Sequence, residues 1–379
     1  MRNPVPIEQI ELAELVGMPG VRGFWDRQGV NQLFQRDIIN SIRDEPHDLF
    51  RYDADGLPSY SGLAISGGGS SGAFGAGILC VWSSTDTRPQ FKLVTGISTG
   101  ALIAPYAFLG QAYDAKLKAV FTTISTKNIV RLSRRIPFRI DSLTDTSPLA
   151  KLIAKDVNEA MIVDIAAAHA QGQRLYIGTT NLDAQRFVVW NMGAIAASND
   201  PAALDLFRNV MLASASIPGA FSPVYIDVVA GGQIYDEMHV DGGVFTQVFF
   251  YEFMLDIRAA VEATGANEGE RSSGAVYVIR NGKAGPEPEQ TPREILAIAQ
   301  RAISTMIKSA SLNDLLRIYQ LTRRDQIDFN YADIPEDFQF KSQEVFDREE
   351  MIALFDLGYQ MVSEGRAWQK APFESSQVE

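Results

Sequence analysis

The chain has 379 residues, of which 46% are apolar and 21% charged, and its net charge at pH 7 is −12. This composition is that of an ordinary globular protein that can bury a large core. The negative charge disfavours nucleic acid as a general partner. A single cysteine, Cys80, excludes an intrachain disulfide and a cysteine-rich zinc site.

No targeting or membrane-spanning segment is visible in the sequence. No run approaches the roughly 18 consecutive apolar residues of a membrane span. The N-terminal residues 1–20 include three glutamates, and no basic flank precedes an apolar stretch. We therefore expect a cytoplasmic protein or one peripheral to a membrane.

The predicted elements divide the chain into three parts. Two amphipathic helices, at 7–16 and 30–44, form a helical N-terminal extension over 1–58. Strands and helices then alternate over 59–365, and 366–379 is expected to be a flexible tail. Strands are predicted at 62–66, 92–96, 174–181, 186–191, 224–229, 234–240, 275–280 and 327–331, and helices at 73–84, 99–109, 112–121, 147–170, 201–214, 292–322 and 346–364. The alternation predicts an α/β protein, a three-layer α/β/α sandwich with a mostly parallel central sheet.

A glycine-rich loop follows the first of these strands. Gly67, Gly68 and Gly69 begin it and Gly72 ends it. Its backbone N–H groups could stabilise a developing oxyanion. The same residues also match G-x-G-x-x-G, the dinucleotide-binding fingerprint, which calls for an acidic residue at the end of the second strand. Asp86 has a suitable spacing but lies in a polar stretch.

The second strand leads into Gly96-Ile97-Ser98-Thr99-Gly100, a G-x-S-x-G pattern. Between a strand and a helix, this pattern is typical of a nucleophile elbow, which exposes a serine hydroxyl on a sharp turn. A tight turn whose serine only caps the helix is the simpler alternative. The elbow interpretation makes Ser98 the candidate nucleophile.

A serine nucleophile needs a base. The three histidines are His47 in an early loop, His169 within a helical run and His239 within a predicted strand. His239 would complete a Ser-Asp-His order, with Asp227 or Asp236 as its orienting acid. The alternative base is Asp241, which begins Asp241-Gly242-Gly243 where that strand ends, although Asp-Gly is also a common turn pair.

In this order, the glycine loop, the G-x-S-x-G pattern and D-G-G resemble the motifs of the patatin-like phospholipases. The small-residue segment 213–221 resembles the one that this family carries before its aspartate. The resemblance covers about residues 60–245. It implies a Ser-Asp dyad of Ser98 and Asp241, an oxyanion hole at Gly67, Gly68 and Gly69, and no histidine, metal or cofactor in the reaction. The supporting motif glycines are Gly72, Gly96, Gly100, Gly242 and Gly243.

The loop departs from the family at one position. Many members carry a basic residue just before the last glycine of the loop, and Ser71 stands there in this chain. A plain carboxyl ester or a neutral lipid is therefore a credible substrate beside a phospholipid.

Positive charge is concentrated in the segment 115–140. It contains seven basic residues and no acidic one, and its arginines are mixed with apolar side chains. Such a segment could contact an anionic membrane surface, although a solvated basic loop or helix face is the simpler interpretation.

These observations predict a serine hydrolase that cleaves carboxyl esters of lipids, a phospholipase A or carboxylesterase, through an acyl-enzyme. An aspartate with an ordinary pKa of about 4 is a weak base, so the proton transfer must be concerted with oxyanion formation. Two alternatives stay open. One is a dinucleotide-binding oxidoreductase that uses the glycine loop, and the other is a catalytically inactive module of the same fold at a membrane surface.

Overall fold

The computed structural model describes residues 2–25, 31–46, 49–52, 58–129, 131–132, 144–250, 274–342 and 346–372, together with residues 260, 263 and 344. The strands are β1 (Arg22–Phe24), β2 (Arg51–Tyr52), β3 (Pro58–Ile65), β4 (Phe91–Gly96), β5 (Arg131–Leu132), β6 (Thr144–Asp145), β7 (Arg174–Asn181), β8 (Arg186–Asn191), β9 (Val224–Ala230), β10 (Gln233–Asp241), β11 (Gly274–Arg280) and β12 (Asp328–Asp333). The helices are α1 (Gln32–Arg43), α2 (Gly72–Ser84), α3 (Thr99–Leu109), α4 (Asp114–Thr123), α5 (Thr126–Ile129), α6 (Ser147–Asp156), α7 (Glu159–Ala170), α8 (Met192–Ala197), α9 (Ala203–Ser214), α10 (Ile295–Asp325) and α11 (Arg348–Ser363).

A ten-stranded sheet organises the fold. Its main order is β1-β8-β7-β4-β3-β11-β12, and the run from β7 to β12 is parallel. All residues of β4 and β7 are buried, as expected for parallel strands covered on both faces. This confirms the predicted mostly parallel central sheet, to which β8, β10 and β1 add antiparallel pairs.

Strand β7 determines where the ends of β4 and β10 meet. β8 occupies one edge of β7, pairing with residues 176–181. On the opposite edge, β4 pairs in parallel only as far as Gly96 beside Ile177, and β10 arrives antiparallel with Asp241 beside Thr179. The carboxyl ends of β4 and β10 therefore face each other along the same edge, about two residues apart.

Helices cover both faces of the sheet, as the three-layer prediction requires. Leu63 and Ile65 of β3 point into a core shared with α2, α3, α9 and α11. Ala64, between them, points to the opposite core, which contains residues of α1 and α10. This alternation is the two-residue period of a strand.

Two glycines bring α2 and α11 into backbone contact. A Cβ added to Gly77 would lie 2.1 Å from the carbonyl oxygen of Phe355, and one added to Gly358 would lie 2.3 Å from that of Phe74. The two helices therefore pack more closely than larger residues would permit, and α11 is anchored next to the helix that follows the glycine loop.

The N-terminal region differs from the predicted helical extension. The predicted helix at 7–16 is a short 3-10 helix, Ile7–Leu12, with no buried residue, and Glu14 instead bridges to Val229 of β9. Strand β1 joins the main sheet beside β8. Because these backbone groups pair with the sheet, the region forms part of the same fold; only the helix predicted at 30–44 is present, as α1.

Three further expectations are corrected. The helix predicted over 147–170 is broken into α6 and α7. Helix α9 begins at Ala203, and Asp200 binds the Ala202 N–H just before it. The flexible tail predicted to begin at residue 366 was placed too early, because Ala367 is buried and Trp368 packs on Trp82. Residues 373–379 lie outside the described residues.

None of the helices in the described part of the chain combines the length and apolar character needed to cross a membrane.

Candidate active site

Ser98 lies on a sharp turn between β4 and α3. Its backbone angles, φ 55° and ψ −124°, belong to a region that residues other than glycine rarely adopt. The flanking glycines make this turn possible: a Cβ on Gly96 would lie 2.4 Å from the Gly100 carbonyl oxygen, and one on Gly100 would lie 2.2 Å from that of Ile65. The geometry is that of a strained strand-to-helix elbow, as the G-x-S-x-G pattern predicts.

Asp241 ends β10 and accepts a hydrogen bond from the Ser98 hydroxyl. Its other contact is the backbone N–H of Gly243, 2.7 Å from Oδ1. Ser98 is 6% exposed and Asp241 is 4% exposed. The structure thus brings together the two residues that the sequence singled out, although they lie far apart in the chain.

Burial changes the acidity of this aspartate. Loss of hydration raises the pKa of Asp241 from its usual 3.8 to about 7, although the hydrogen bonds from Ser98 and Gly243 oppose the rise. A carboxylate with a pKa near neutrality is a much better base than an ordinary aspartate. This removes the weakness that the sequence alone attached to an aspartate base.

The segment after α9 holds both residues in place. The Ser214 hydroxyl accepts a hydrogen bond from the Ser98 N–H at 3.0 Å and donates one to the Gly178 carbonyl of β7 at 2.7 Å. Two residues later, the Ser216 carbonyl accepts from the Asp241 N–H at 2.9 Å. The small-residue segment 213–221 therefore has a physical role, since it ties the serine and the aspartate to the same strand.

Replacing Ser214 with alanine is expected to reduce both stability and activity. The substitution leaves the Ser98 N–H and the Gly178 carbonyl without their buried partner, which costs about 1–3 kcal/mol. We expect a lower melting temperature and a fall in kcat on an ester substrate. Ser216→Ala is the matched control, because the Ser216 hydroxyl bonds only the Leu212 carbonyl. Equal activity losses in both variants would contradict this positioning role.

The glycine loop lies against the serine. A Cβ added to Gly67 would come within 3.1 Å of the Ser98 Cβ. The Gly67 N–H donates to the Gln247 carbonyl at 3.1 Å, so the expectation that it lines the oxyanion hole is corrected. Within the described residues, the N–H groups of Gly68 and Gly69 have no acceptor, and Gly69 has φ +57° with open space where a Cβ would be.

Two residues that the sequence did not single out brace this loop. Asn281, just after β11, binds the Ser66 carbonyl through Nδ2 and the Gly75 N–H through Oδ1. Gln247 holds Gly67 through its carbonyl and the Gly243 carbonyl through Nε2. Neither is part of a local motif, and their only sequence signal is a position shortly after a strand end.

Ser98 and Gly69 line an apolar pocket. The pocket contains about 740 Å³ of space free of protein atoms, part of it open to solvent. Helices α3, α4, α6 and α9 supply its walls, with Leu102, Phe121, Ile153 and Met211 among them. A hydrocarbon chain could therefore lie beside the serine hydroxyl against mostly apolar side chains.

The two histidines in the described part of the chain, His169 and His239, take no part in this arrangement. His239 is fully buried, where its ring nitrogens contact Thr179 and Glu237, and Glu237 in turn pairs with Arg22. His169 packs beside Gly193, and burial lowers its pKa to about 4. His47 lies outside the described residues. The hypothesis of a Ser-Asp-His triad through His239 therefore lacks geometric support.

The dinucleotide interpretation also lacks its second element. Asp86 is exposed in the turn after α2, with φ 54°, and is not at the end of a strand. The strand that follows α2 leads instead to Ser98. Gly72 packs against Thr99, since a Cβ there would lie 2.4 Å from its Oγ1.

A buried serine on an elbow, a carboxylate at the next strand end and a glycine loop define an α/β protein with the arrangement of a hydrolase. The family model described as "Patatin: Patatin-like phospholipase" matches residues 63–254, just over half of the chain. The chain belongs to the patatin-like phospholipase family. No curated protein matches its sequence.

Three solved structures are similar to this chain at low sequence identity and low TM-score. VipD from Legionella pneumophila is 11% identical with a TM-score of 0.40, and the match covers 83% of this chain and 69% of VipD. The type III effector protein ExoU is 13% identical with a TM-score of 0.29, covering 81% and 52%. Human GIVD cytosolic phospholipase A2 is 10% identical with a TM-score of 0.28, covering 72% and 48%. The match thus spans about half the length of ExoU and of the human enzyme.

Proposed function

We propose that this protein hydrolyses carboxyl esters of lipids through an acyl-enzyme formed on Ser98, with Asp241 as the general base. The observation that carries the proposal is the hydrogen bond from the Ser98 hydroxyl to a buried carboxylate beside an apolar pocket. Membership of the patatin-like phospholipase family supports a lipid substrate.

In the first half of the reaction, the Ser98 oxygen attacks the ester carbonyl carbon while its proton passes to Asp241. The carbonyl oxygen becomes an oxyanion, and the N–H groups of Gly68 and Gly69 are the proposed donors to it. The intermediate then collapses. The bond to the alcohol breaks, the leaving oxygen takes the proton from Asp241, and the acyl group remains esterified to Ser98.

In the second half, water replaces the alcohol. Asp241 accepts a proton from the water molecule while the water oxygen adds to the acyl carbon. The new tetrahedral intermediate expels the Ser98 oxygen, which recovers the proton from Asp241, and the free acid leaves. One base serves both halves because its pKa of about 7 allows it to take and return a proton near neutral pH.

A fluorophosphonate probe tests the nucleophile directly. The probe should phosphonylate the protein once, and peptide mass spectrometry should locate the adduct on Ser98. An adduct on another residue would contradict the assignment of Ser98 as nucleophile. So would the absence of any adduct on protein that hydrolyses p-nitrophenyl esters. Protein that neither reacts nor hydrolyses would favour the inactive-module alternative.

We also propose peripheral membrane contact through 115–140. In the described part of this segment, Lys116, Lys118 and Lys127 are exposed on α4 and α5, whose inner faces contribute Phe121 and Ile129 to the pocket. Residues 133–140, with three of the arginines, lie outside the described residues. A basic outer surface over the pocket would bring its opening towards an anionic lipid surface.

Reversing Lys116, Lys118 and Lys127 to glutamate is therefore expected to weaken binding to phosphatidylserine-containing vesicles at least tenfold, since each cation near such a surface contributes about 1 kcal/mol. Co-sedimentation measures the binding. Wild-type binding should also fall as salt is raised, because salt screens this attraction. Binding that is insensitive to both the substitutions and salt would leave the segment as a solvated surface.

A further inference from the structure

The apolar pocket contains one polar pair that the proposed reaction does not use. Tyr106 of α3 and Asp156, the last residue of α6, both line it. Among the described lining residues, Asp156 is the only carboxylate. A charged group in the wall of a pocket for a hydrocarbon chain is costly unless something compensates it.

Both side chains have unused hydrogen-bonding capacity. Tyr106 is 3% exposed, and within the described part of the protein its hydroxyl forms no hydrogen bond. The Asp156 carboxylate likewise has no hydrogen bond or ion pair there. Burial and the nearby Asp156 carboxylate raise the pKa of the Tyr106 hydroxyl, so this group remains a donor at neutral pH. Asp156 is partly exposed, and the charges of Lys116 and Lys155 favour its ionised form. The buried Tyr106 hydroxyl is the group that lacks a partner, and buried polar groups normally have one. A hydroxyl donor beside a carboxylate in an apolar pocket therefore points to a ligand that can bind both.

The two helices place this pair away from the serine. Ser98 immediately precedes α3, and Leu102 and Tyr106 follow it at intervals of four residues. All three line the pocket and therefore lie along one face of the helix. On α6, Leu149, Leu152 and Ile153 line the pocket before Asp156 closes the series. On α6 an apolar stripe thus ends in a carboxylate, and on α3 Leu102 separates the serine from the tyrosine.

We propose that Tyr106 and Asp156 form a polar subsite within the pocket that binds a hydroxyl group carried by the acyl chain of the substrate. The inference rests on the proposed function, because it takes this pocket to hold the acyl chain. A hydroxyl fits both partners: its oxygen accepts from the Tyr106 O–H, and its proton is donated to the Asp156 carboxylate. An unsubstituted chain leaves the buried Tyr106 hydroxyl without a partner.

Helix geometry limits the length of the chain. Tyr106 lies eight residues after Ser98, about 12 Å along the axis. Extended chain advances about 1.2 Å per bond, and the tyrosine ring of a helix leans back towards the N-terminus. We therefore expect the hydroxyl between about six and ten bonds from the ester carbonyl.

The test compares p-nitrophenyl esters of hexanoic, octanoic and decanoic acid with their ω-hydroxy counterparts. At one of these lengths, the wild-type kcat/KM for the hydroxylated ester should exceed that for the unsubstituted ester by about tenfold or more. This is the gain expected from a hydrogen bond to a charged group. Tyr106→Phe and Asp156→Leu should each reduce this ratio towards one. Tyr113→Phe is the matched control: its hydroxyl binds Asp164 outside the pocket, so the ratio should remain that of the wild type.

A wild-type ratio of one or less at all three lengths would overturn the subsite, and so would an equal effect of Tyr106→Phe and Tyr113→Phe. A second measurement does not depend on hydrolysis: calorimetric titration of Ser98→Ala with each free acid. The subsite is supported if Ser98→Ala binds an ω-hydroxy acid more tightly than the unsubstituted acid of the same length, and if the double variant with Tyr106→Phe loses this difference. This result would hold even if the wild type cleaves no ester. Equal binding of the two acids would reject the subsite. Ester cleavage without a preference for the hydroxylated substrate would reject the subsite but not the proposed hydrolase function.

Discussion

Ser98→Ala is expected to reduce ester hydrolysis by about 10⁴-fold or more, because removal of a covalent nucleophile leaves only binding and oxyanion stabilisation. Labelling by a fluorophosphonate should disappear with it. The fold should persist, since the hydroxyl contributes one hydrogen bond, to Asp241, and the backbone bond to Ser214 is kept. The measurements are initial rates on p-nitrophenyl esters and thermal unfolding.

Ser98→Gly provides the control for backbone strain. Holding a residue with a side chain at φ 55° and ψ −124° costs about 1–3 kcal/mol, whereas glycine adopts positive φ readily. Both variants should be inactive, but Ser98→Gly should unfold at a higher temperature than Ser98→Ala. Activity retained in either one would end the case for Ser98 as nucleophile.

Asp241→Asn is expected to reduce kcat by about 10²–10⁴-fold, the usual contribution of a general base. Asparagine retains the Oδ1 that binds the Gly243 N–H but cannot take the serine proton. In the wild type, kcat/KM should rise with pH through about 7, where Asp241 ionises, and level off above it. A pH–rate profile that is flat between pH 5 and 8 would contradict this assignment.

The same variant should be more stable than the wild type at alkaline pH. The folded-state pKa of Asp241 is above its usual value of 3.8, so the folded protein holds the proton more tightly than the unfolded chain. Stability is therefore lost as pH rises from about 4 to 7, by an amount on the order of 4 kcal/mol at pH 8. The asparagine side chain of the variant does not ionise, so the difference in melting temperature between the variant and the wild type should grow from pH 4 to pH 8 and then become constant.

The local elements were largely predictable from the sequence. Strands 174–181 and 186–191 and helix 99–109 were predicted with their observed bounds. Buried apolar runs and turn residues act over a few positions, so a single sequence contains their signal. The placement of G-x-S-x-G at a strand-to-helix turn is of the same kind, because its glycines are required by contacts with neighbouring backbone.

Long-range partners were not predictable in the same way. The Gly67 amide is occupied by Gln247, and β1 joins β8 although Arg22 and Arg186, where the two strands begin, lie far apart in the chain. No local pattern encodes such pairing, because it depends on the order of strands in the sheet. The sequence-based prediction therefore counted too many free N–H groups in the glycine loop. It also assigned residues 1–58 to a separate extension, although β1 is part of the main sheet.

By itself, the sequence determined most strands and helices of the α/β region, the family and the two candidate residues, since strand ends and motif glycines are local features. Only the tertiary structure decided that β10 continues the edge of β7 where β4 stops, and this brings the Asp241 carboxylate to the Ser98 hydroxyl. The raised pKa of Asp241 and the polar pair in the pocket were decided there too. Both depend on how completely distant segments exclude water, a quantity set by packing in three dimensions.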